Sequence, residues 1–132
     1  MLVSVLTQGD FLIASIHTAL DDTEMQRFQQ DVVARIGELR SSGVIIDVAA
    51  LDVMDSFGSR CLGDLAHMAR LRGAETVIVG IQPDVAFAIV QLGMDIKVST
   101  ALDLEEGLIF LERATTGNRV GGSVIGVLGN DR

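Results

Sequence analysis

The sequence predicts an α/β fold: a single domain on a mixed, mostly parallel sheet flanked by four or five helices. Three observations carry that prediction. Short apolar runs of strand length alternate with amphipathic runs of helix length, the signature of crossover units and parallel pairing. Before the alternation begins, two β-like runs are separated only by Gln8-Gly9-Asp10, turn chemistry that supports a hairpin. The chain has 132 residues, enough for one core but short for two.

Taken in order, residues 2–6 and 11–17 read as the hairpin strands. Asp21-Asp22-Thr23-Glu24 then opens a long helix, with acidic and capping side chains suited to its positive end. Met25, Phe28, Val32, Ile36 and Leu39 follow at spacings of three and four, which is one helical face. Gly43 ends this helix and opens a strand over 44–48. A second helix runs from Ser56 to about Leu71 and is closed by Gly73. Residues 76–80 form a buried strand. Gln82-Pro83-Asp84 starts a third helix, its proline placed where a first turn tolerates it, and that helix stops near Gly93. A short strand at 96–99 and a last helix at 102–113 complete the domain, which therefore spans residues 1–114.

From Thr115 the texture changes. Residues 115–132 hold five glycines in eighteen positions without clear periodicity, which reads as a flexible tail. Val124–Leu128 is the one stretch there able to add a strand.

Composition narrows the function. Hydrophobic residues make up 48% and charged residues 21%, which excludes a disordered chain. The net charge of −8 disfavours nucleic acid and anionic membranes, whose affinity comes from Lys and Arg, and permits a basic protein partner. Cys61, the single cysteine, rules out an internal disulfide framework and a Cys-x-x-Cys metal site. No phosphate loop or nucleotide fingerprint occurs, so no cofactor is expected. The opening MLVSVLTQGD lacks a basic n-region and a cleavage pattern, and no apolar stretch reaches membrane-spanning length; a cytoplasmic protein is expected.

The informative junction is VIIDVAALDVMDSFGSRCLGDL, residues 44–65. An apolar run stops at Asp55-Ser56 and a helix begins. Placed at or beside the N-cap, Ser56 is explained by a hydroxyl accepting a free backbone N–H, worth about 1 kcal/mol. The helix face adds a second reading. Phe57, Cys61, Leu62, Leu65, Met68 and Ala69 form a core stripe, and Ser56, Arg60, Gly63, His67 and Arg70 form the opposite, exposed one. Gly63 there costs up to about 1 kcal/mol of helix propensity, a cost that suits the close approach of a partner. A phosphate on Ser56 would sit at the positive helix end, within reach of Arg60, while Asp55, Asp21 and Asp22 on the same rim repel it. That rim gathers three strand-to-helix junctions, 19–22, 49–56 and 81–84, and makes Gln82 and Pro83 contact candidates as well.

The runs Val-Ile-Ile-Asp-Val (44–48), Met-Asp-Ser-Phe-Gly (54–58), Thr-Val-Ile-Val-Gly-Ile-Gln-Pro-Asp-Val (76–85) and Gly-Met (93–94) resemble the STAS-domain anti-sigma-factor antagonists over residues 3–113. The Asp-Ser-Phe and Gly-Ile-Gln-Pro stretches are most similar to the RsbS-type short antagonist of the bacterial stressosome. The resemblance implies a scaffold without catalytic activity that assembles as homo- and hetero-oligomers with RsbR-like co-antagonist paralogues. It implies capture of an RsbT-like serine kinase, release on phosphorylation of Ser56, and a resetting phosphatase. The partner-binding residues would be Asp55, Phe57, Gly58, Arg60, Gly63, Asp21, Asp22, Gln82 and Pro83.

Three other readings stand beside it. A stand-alone anti-anti-sigma factor would use the same Ser56 but remain small. A regulatory domain of a transporter or lipid system would use the same fold. An enzyme built on Cys61 or Ser56 with His67 is disfavoured, because Cys61 lies on the core stripe and His67 is roughly 16 Å from Ser56 along the helix. Ser59 reads as a helix-surface serine, Met54, Met68 and Met94 as core fillers, Asp52 as a loop residue and His17 as a packed or surface histidine.

Overall fold

The structure, a computed structural model, describes residues 2–91, 93 and 97–128, with the backbone alone over 117–128. Two strands, β1 (Val3–Gln8) and β2 (Phe11–Ile16), form the hairpin, with Gln8 opposite Phe11 and Val3 opposite Ile16. The two-residue link places Gly9 at φ +60°, a conformation only glycine adopts without strain. The chain then alternates: α1 (Asp22–Leu39), β3 (Gly43–Asp47), α2 (Ser56–Leu71), β4 (Glu75–Val79), α3 (Pro83–Gln91), β5 (Ser99–Ala101) and α4 (Leu104–Leu128). The sheet order is β1-β2-β3-β4-β5, antiparallel at the first pair and parallel thereafter. This is the mixed, mostly parallel sheet expected, flanked by four helices.

The period of two along each strand sorts the core into two layers. Leu12, Ala14 and Ile16 of β2, Val44 and Ile46 of β3 and Ile78 of β4 join the buried faces of α1 and α2 and Val85 of α3. The alternate residues Ile13, Ile45, Val77 and Val79 meet Leu111 of α4 on the other face. β3 and β4 are buried on both sides, which is why their sequences read as unbroken apolar runs. Each such side chain contributes about 1.5–3 kcal/mol relative to exposure. On α4, Gly107 lets the helix approach closely: a Cβ there would lie 2.7 Å from Val79 Cγ1.

Four expectations change. The last strand is Ser99–Ala101, with Ser99 in register with Val77 of β4; Lys97 and Val98 of the expected 96–99 precede it, and Ile96 lies outside the described residues. The last helix does not stop at Arg113. It continues as helical backbone through 115–128, including the stretch considered for a strand, and the buried Thr115 hydroxyl donates to Leu111 O at 2.7 Å just where the tail was expected to begin. Residues 129–132 and Met94 lie outside the described residues. On α1 the buried stripe is Met25, Phe28, Val32 and Ile36, while Leu39 at the last turn is exposed. On α2, Phe57 and Met68 are only half-buried, at the edges of the stripe.

Candidate phosphorylation and partner-docking site

The loop between β3 and α2 is held at both ends. Val48 N–H donates to Val79 O at 3.0 Å, Ala49 N–H to Asp47 Oδ1 at 2.9 Å, and Leu51 N–H to Val48 O at 2.9 Å. Leu51 and Met54 are buried in the core, so the loop delivers the next residues at a set position. Asp55 is the N-cap of α2: its backbone is extended and its Oδ1 accepts the Gly58 N–H at 2.7 Å. Ser56 is therefore the first helical residue and not the cap. It is exposed, and its hydroxyl makes no hydrogen bond among the described residues.

The neighbouring residues divide into a buried support and an exposed rim. Gly58 is turned inward, where an added Cβ would meet Asp55 Oδ1 at 3.2 Å and Met25 Cε at 3.6 Å. Gly58 is buried, donates the N–H that Asp55 caps, and lies against Met25 of α1. Phe57 packs half-buried against the core. Asp21 caps α1 in a reciprocal box with Glu24, at 2.7 and 2.9 Å. Asp22 and Asp55 both act on Cys61 between the two helices. Burial pushes the Cys61 thiol up, the carboxylates of Asp64, Asp22 and Asp55 push it the same way, and Arg60 opposes. A protonated, buried thiol suits packing rather than nucleophilic work. Gln29 Nε2 donates to Cys61 O at 3.0 Å and ties α1 to α2 at this level.

The third junction joins the rim through Gln82, whose Nε2 donates to Ala49 O at 2.7 Å. Pro83 beside it is exposed. Gly80, at φ +81°, brings the turn after β4 so close to Ala49 that a Cβ would sit 3.1 Å from Ala49 Cα. Residues from the α1, α2 and α3 junctions thus meet at one rim, as the topology requires of parallel strands.

From Ser56 an open groove of about 600 Å³ follows the exposed stripe of α2 past Arg60, Gly63 and His67 to Arg70, with Lys97 also lining it. Over Gly63 nothing lies within 4 Å of a built Cβ, so this position is open space. Ser59 differs from the expectation: it is 6% exposed, not a surface serine, and its Oγ has no hydrogen-bond partner among the described residues. Lys97 was not among the expected site residues: the sequence placed it in the strand at 96–99, whereas it lies between α3 and β5 and lines the groove. Ser59 was misplaced because it falls between the two stripes of the helical wheel. His17 is exposed and its Nε2 lies 2.9 Å from Ser4 Oγ across the hairpin. No helix among the described residues is long and apolar enough to cross a membrane.

Comparison with known proteins agrees with this geometry. The STAS domain family matches residues 3–107. A serine-to-glutamate variant of RsbS from Moorella thermoacetica superposes with a TM-score of 0.74 at 31% identity, covering 86% of this chain and 97% of that one. A chain from the molecular architecture of the stressosome, a signal integration and transduction hub, superposes at 0.68 with 29% identity, covering 85% and 98%. The RsbT co-antagonist protein RsbRA of Bacillus subtilis is 29% identical over 90 residues, 67% of this chain and 33% of its own length. The chain thus spans about a third of that curated relative. With the family match spanning all five strands and the Asp55-Ser56 junction, the chain belongs to the STAS-domain family, among its stressosome-like anti-sigma-factor antagonists.

Proposed function

We propose that this chain is a non-catalytic stressosome-type antagonist subunit, cytoplasmic, that captures an RsbT-like serine kinase at the Ser56 rim and releases it when Ser56 is phosphorylated. The observation that carries the reading is the division of labour at the start of α2. Asp55 performs the capping, and the exposed Ser56 hydroxyl has no hydrogen-bond partner among the described residues. In the transfer, Ser56 Oγ bonds to the terminal phosphorus of the kinase's ATP, the bond to ADP breaks, and the hydroxyl proton passes to a base of the kinase. The product carries about −1.5 to −2 charge at a helix N-terminus, where the fold tolerates it. The rim already holds Asp21, Asp22 and Asp55, so the added charge acts on the bound surface instead. RsbR-like co-antagonists are the assembly partners of this reading, and a dedicated phosphatase resets the serine.

The experiment is co-purification with an RsbT-type kinase, with and without ATP, together with phosphosite mapping. Wild type should lose the kinase as phosphate appears on Ser56. Ser56→Ala should hold it in both conditions, and Ser56→Asp should capture it poorly while keeping the wild-type circular dichroism spectrum. Equal capture by all three proteins would reduce Ser56 to a helix residue without a regulatory role.

A further inference from the structure

We propose that the groove along α2 is a docking surface for an extended acidic segment of a partner protein. The groove stands on its own residues; only the competition described below rests on the Ser56 reading.

The groove gathers positive charge. In a chain of net charge −8, Arg60, Arg70 and Lys97 line one groove. The opposing carboxylates are Asp64 in the lining and Glu75, whose Oε1 is 3.5 Å from Arg70 Nη2. Arg60 and Lys97 make no ion pair among the described residues. An anionic partner would meet the groove at its cations and be repelled from the acidic rim beyond, a pattern that sets orientation as well as affinity.

Length selects the kind of anion. Arg60 and Arg70 are ten residues apart, about 15 Å along the helix axis. A single phosphate or carboxylate cannot bridge that span. An extended chain covers it in about five residues, with alternate side chains on one face roughly 6.6 Å apart. Gly63 lies between the two arginines under open space, which leaves room for a main chain to pass close to the helix. A nucleotide fits less well: its charge is concentrated at one end, and the described residues of the lining offer no aromatic or broad apolar wall for a base beyond the His67 ring and Ala66.

Ser56 lines the same groove as Arg60, one turn away. A phosphate there would draw Arg60 to itself and displace the acidic segment, which couples modification to release.

The test is a fluorescence-anisotropy titration of the full chain with a dye-labelled peptide of alternating glutamate and serine at low ionic strength. Inorganic phosphate serves as the small-anion competitor. Wild type should bind saturably. Arg60→Glu with Arg70→Glu should weaken binding at least about tenfold. Gly63→Gln fills the open position while improving helix propensity, so it should weaken binding without lowering the melting temperature. Arg27→Glu with Arg35→Glu, both exposed on α1, makes the same change in net charge and should have a much smaller effect. Equal loss in the two charge-reversal doubles, displacement by phosphate at matched charge, or absence of saturable binding would each overturn the proposal. The two readings fail separately. Peptide binding intact with kinase release lost counts against the Ser56 switch, and the converse counts against the groove.

Discussion

The Asp55 carboxylate takes the Gly58 N–H at 2.7 Å, and this bond relieves Ser56 of capping. The two adjacent residues should therefore respond unequally to truncation. Asp55→Ala should destabilise the fold by about 1 kcal/mol, within the usual 0.5–2 for a lost cap, whereas Ser56→Ala should stay within about 0.5. Urea denaturation of both variants checks this. A Ser56→Ala loss as large as that of Asp55→Ala would return Ser56 to a structural role.

The rim depends on Gly80. At φ +81° a side chain is strained, and its Cβ would fall 2.9 Å from Ala49 Cβ and 3.1 to 3.2 Å from the Ala49 backbone Cα and N, which cannot yield cheaply. Gly80→Ala should cost about 2 kcal/mol or more, and it should loosen the Gln82–Ala49 bond. Amide exchange should then accelerate at Ala49 and Leu51 more than in the distant β1–β2 hairpin. Uniform acceleration would show a global loss with no particular effect at the rim.

On the opposite face, Gly107 and Val79 should be energetically coupled. Gly107→Ala gains up to about 1 kcal/mol in helix propensity but presses a methyl against Val79 Cγ1 at 2.7 Å. The net effect should be destabilising in the wild-type background and much smaller in Val79→Ala. A double-mutant cycle reads this as an interaction of about 0.5–3 kcal/mol. Additive effects would mean the helix shifts freely to make room.

Cys61 should give stability a pH dependence on the alkaline side. Burial and the carboxylates of Asp64, Asp22 and Asp55 raise the folded thiol above its unfolded value of about 8.5. Its stabilising contribution is fully present below the unfolded value and is lost as pH rises through the folded one. The fall in stability from neutral pH into this alkaline range should be smaller in Cys61→Ala. A thiol reagent should also react slowly with the native chain and quickly in urea. Rapid native labelling would contradict the buried, protonated state.

The readable parts of this protein were those with a local cause. Gly9-Asp10 sets a two-residue turn, the α1 start carries its own capping box, and the apolar runs of β3 and β4 state their burial on both sides. The Asp-Ser junction and the exposed stripe of α2 were legible for the same reason, since spacing of three and four projects directly onto a helix face. β5 and α4 were less so. Ile96-Lys97-Val98 looks as strand-like as the next three residues, and only pairing with Val77, Ile78 and Val79 selects residues 99–101. The glycines after Thr115 argue against helix locally, while the structure continues one past Gly126 to Leu128.

Residue order by itself determined the order of elements, the period-two sorting of the sheet into two faces, and the position of Asp55-Ser56 at the head of an amphipathic helix. These follow from interactions within a few residues, which sequence spacing records. Tertiary structure decided which of Asp55 and Ser56 does the capping, how deeply Ser59 is buried, and that Lys97 reaches the groove beside Arg60 and Arg70. It also brought Gln82 to Ala49 and Asp22 to the side of Cys61. The physical reason is that these relations join residues from separate elements or turn on how far a helix leans on its sheet, and packing of the whole core sets both.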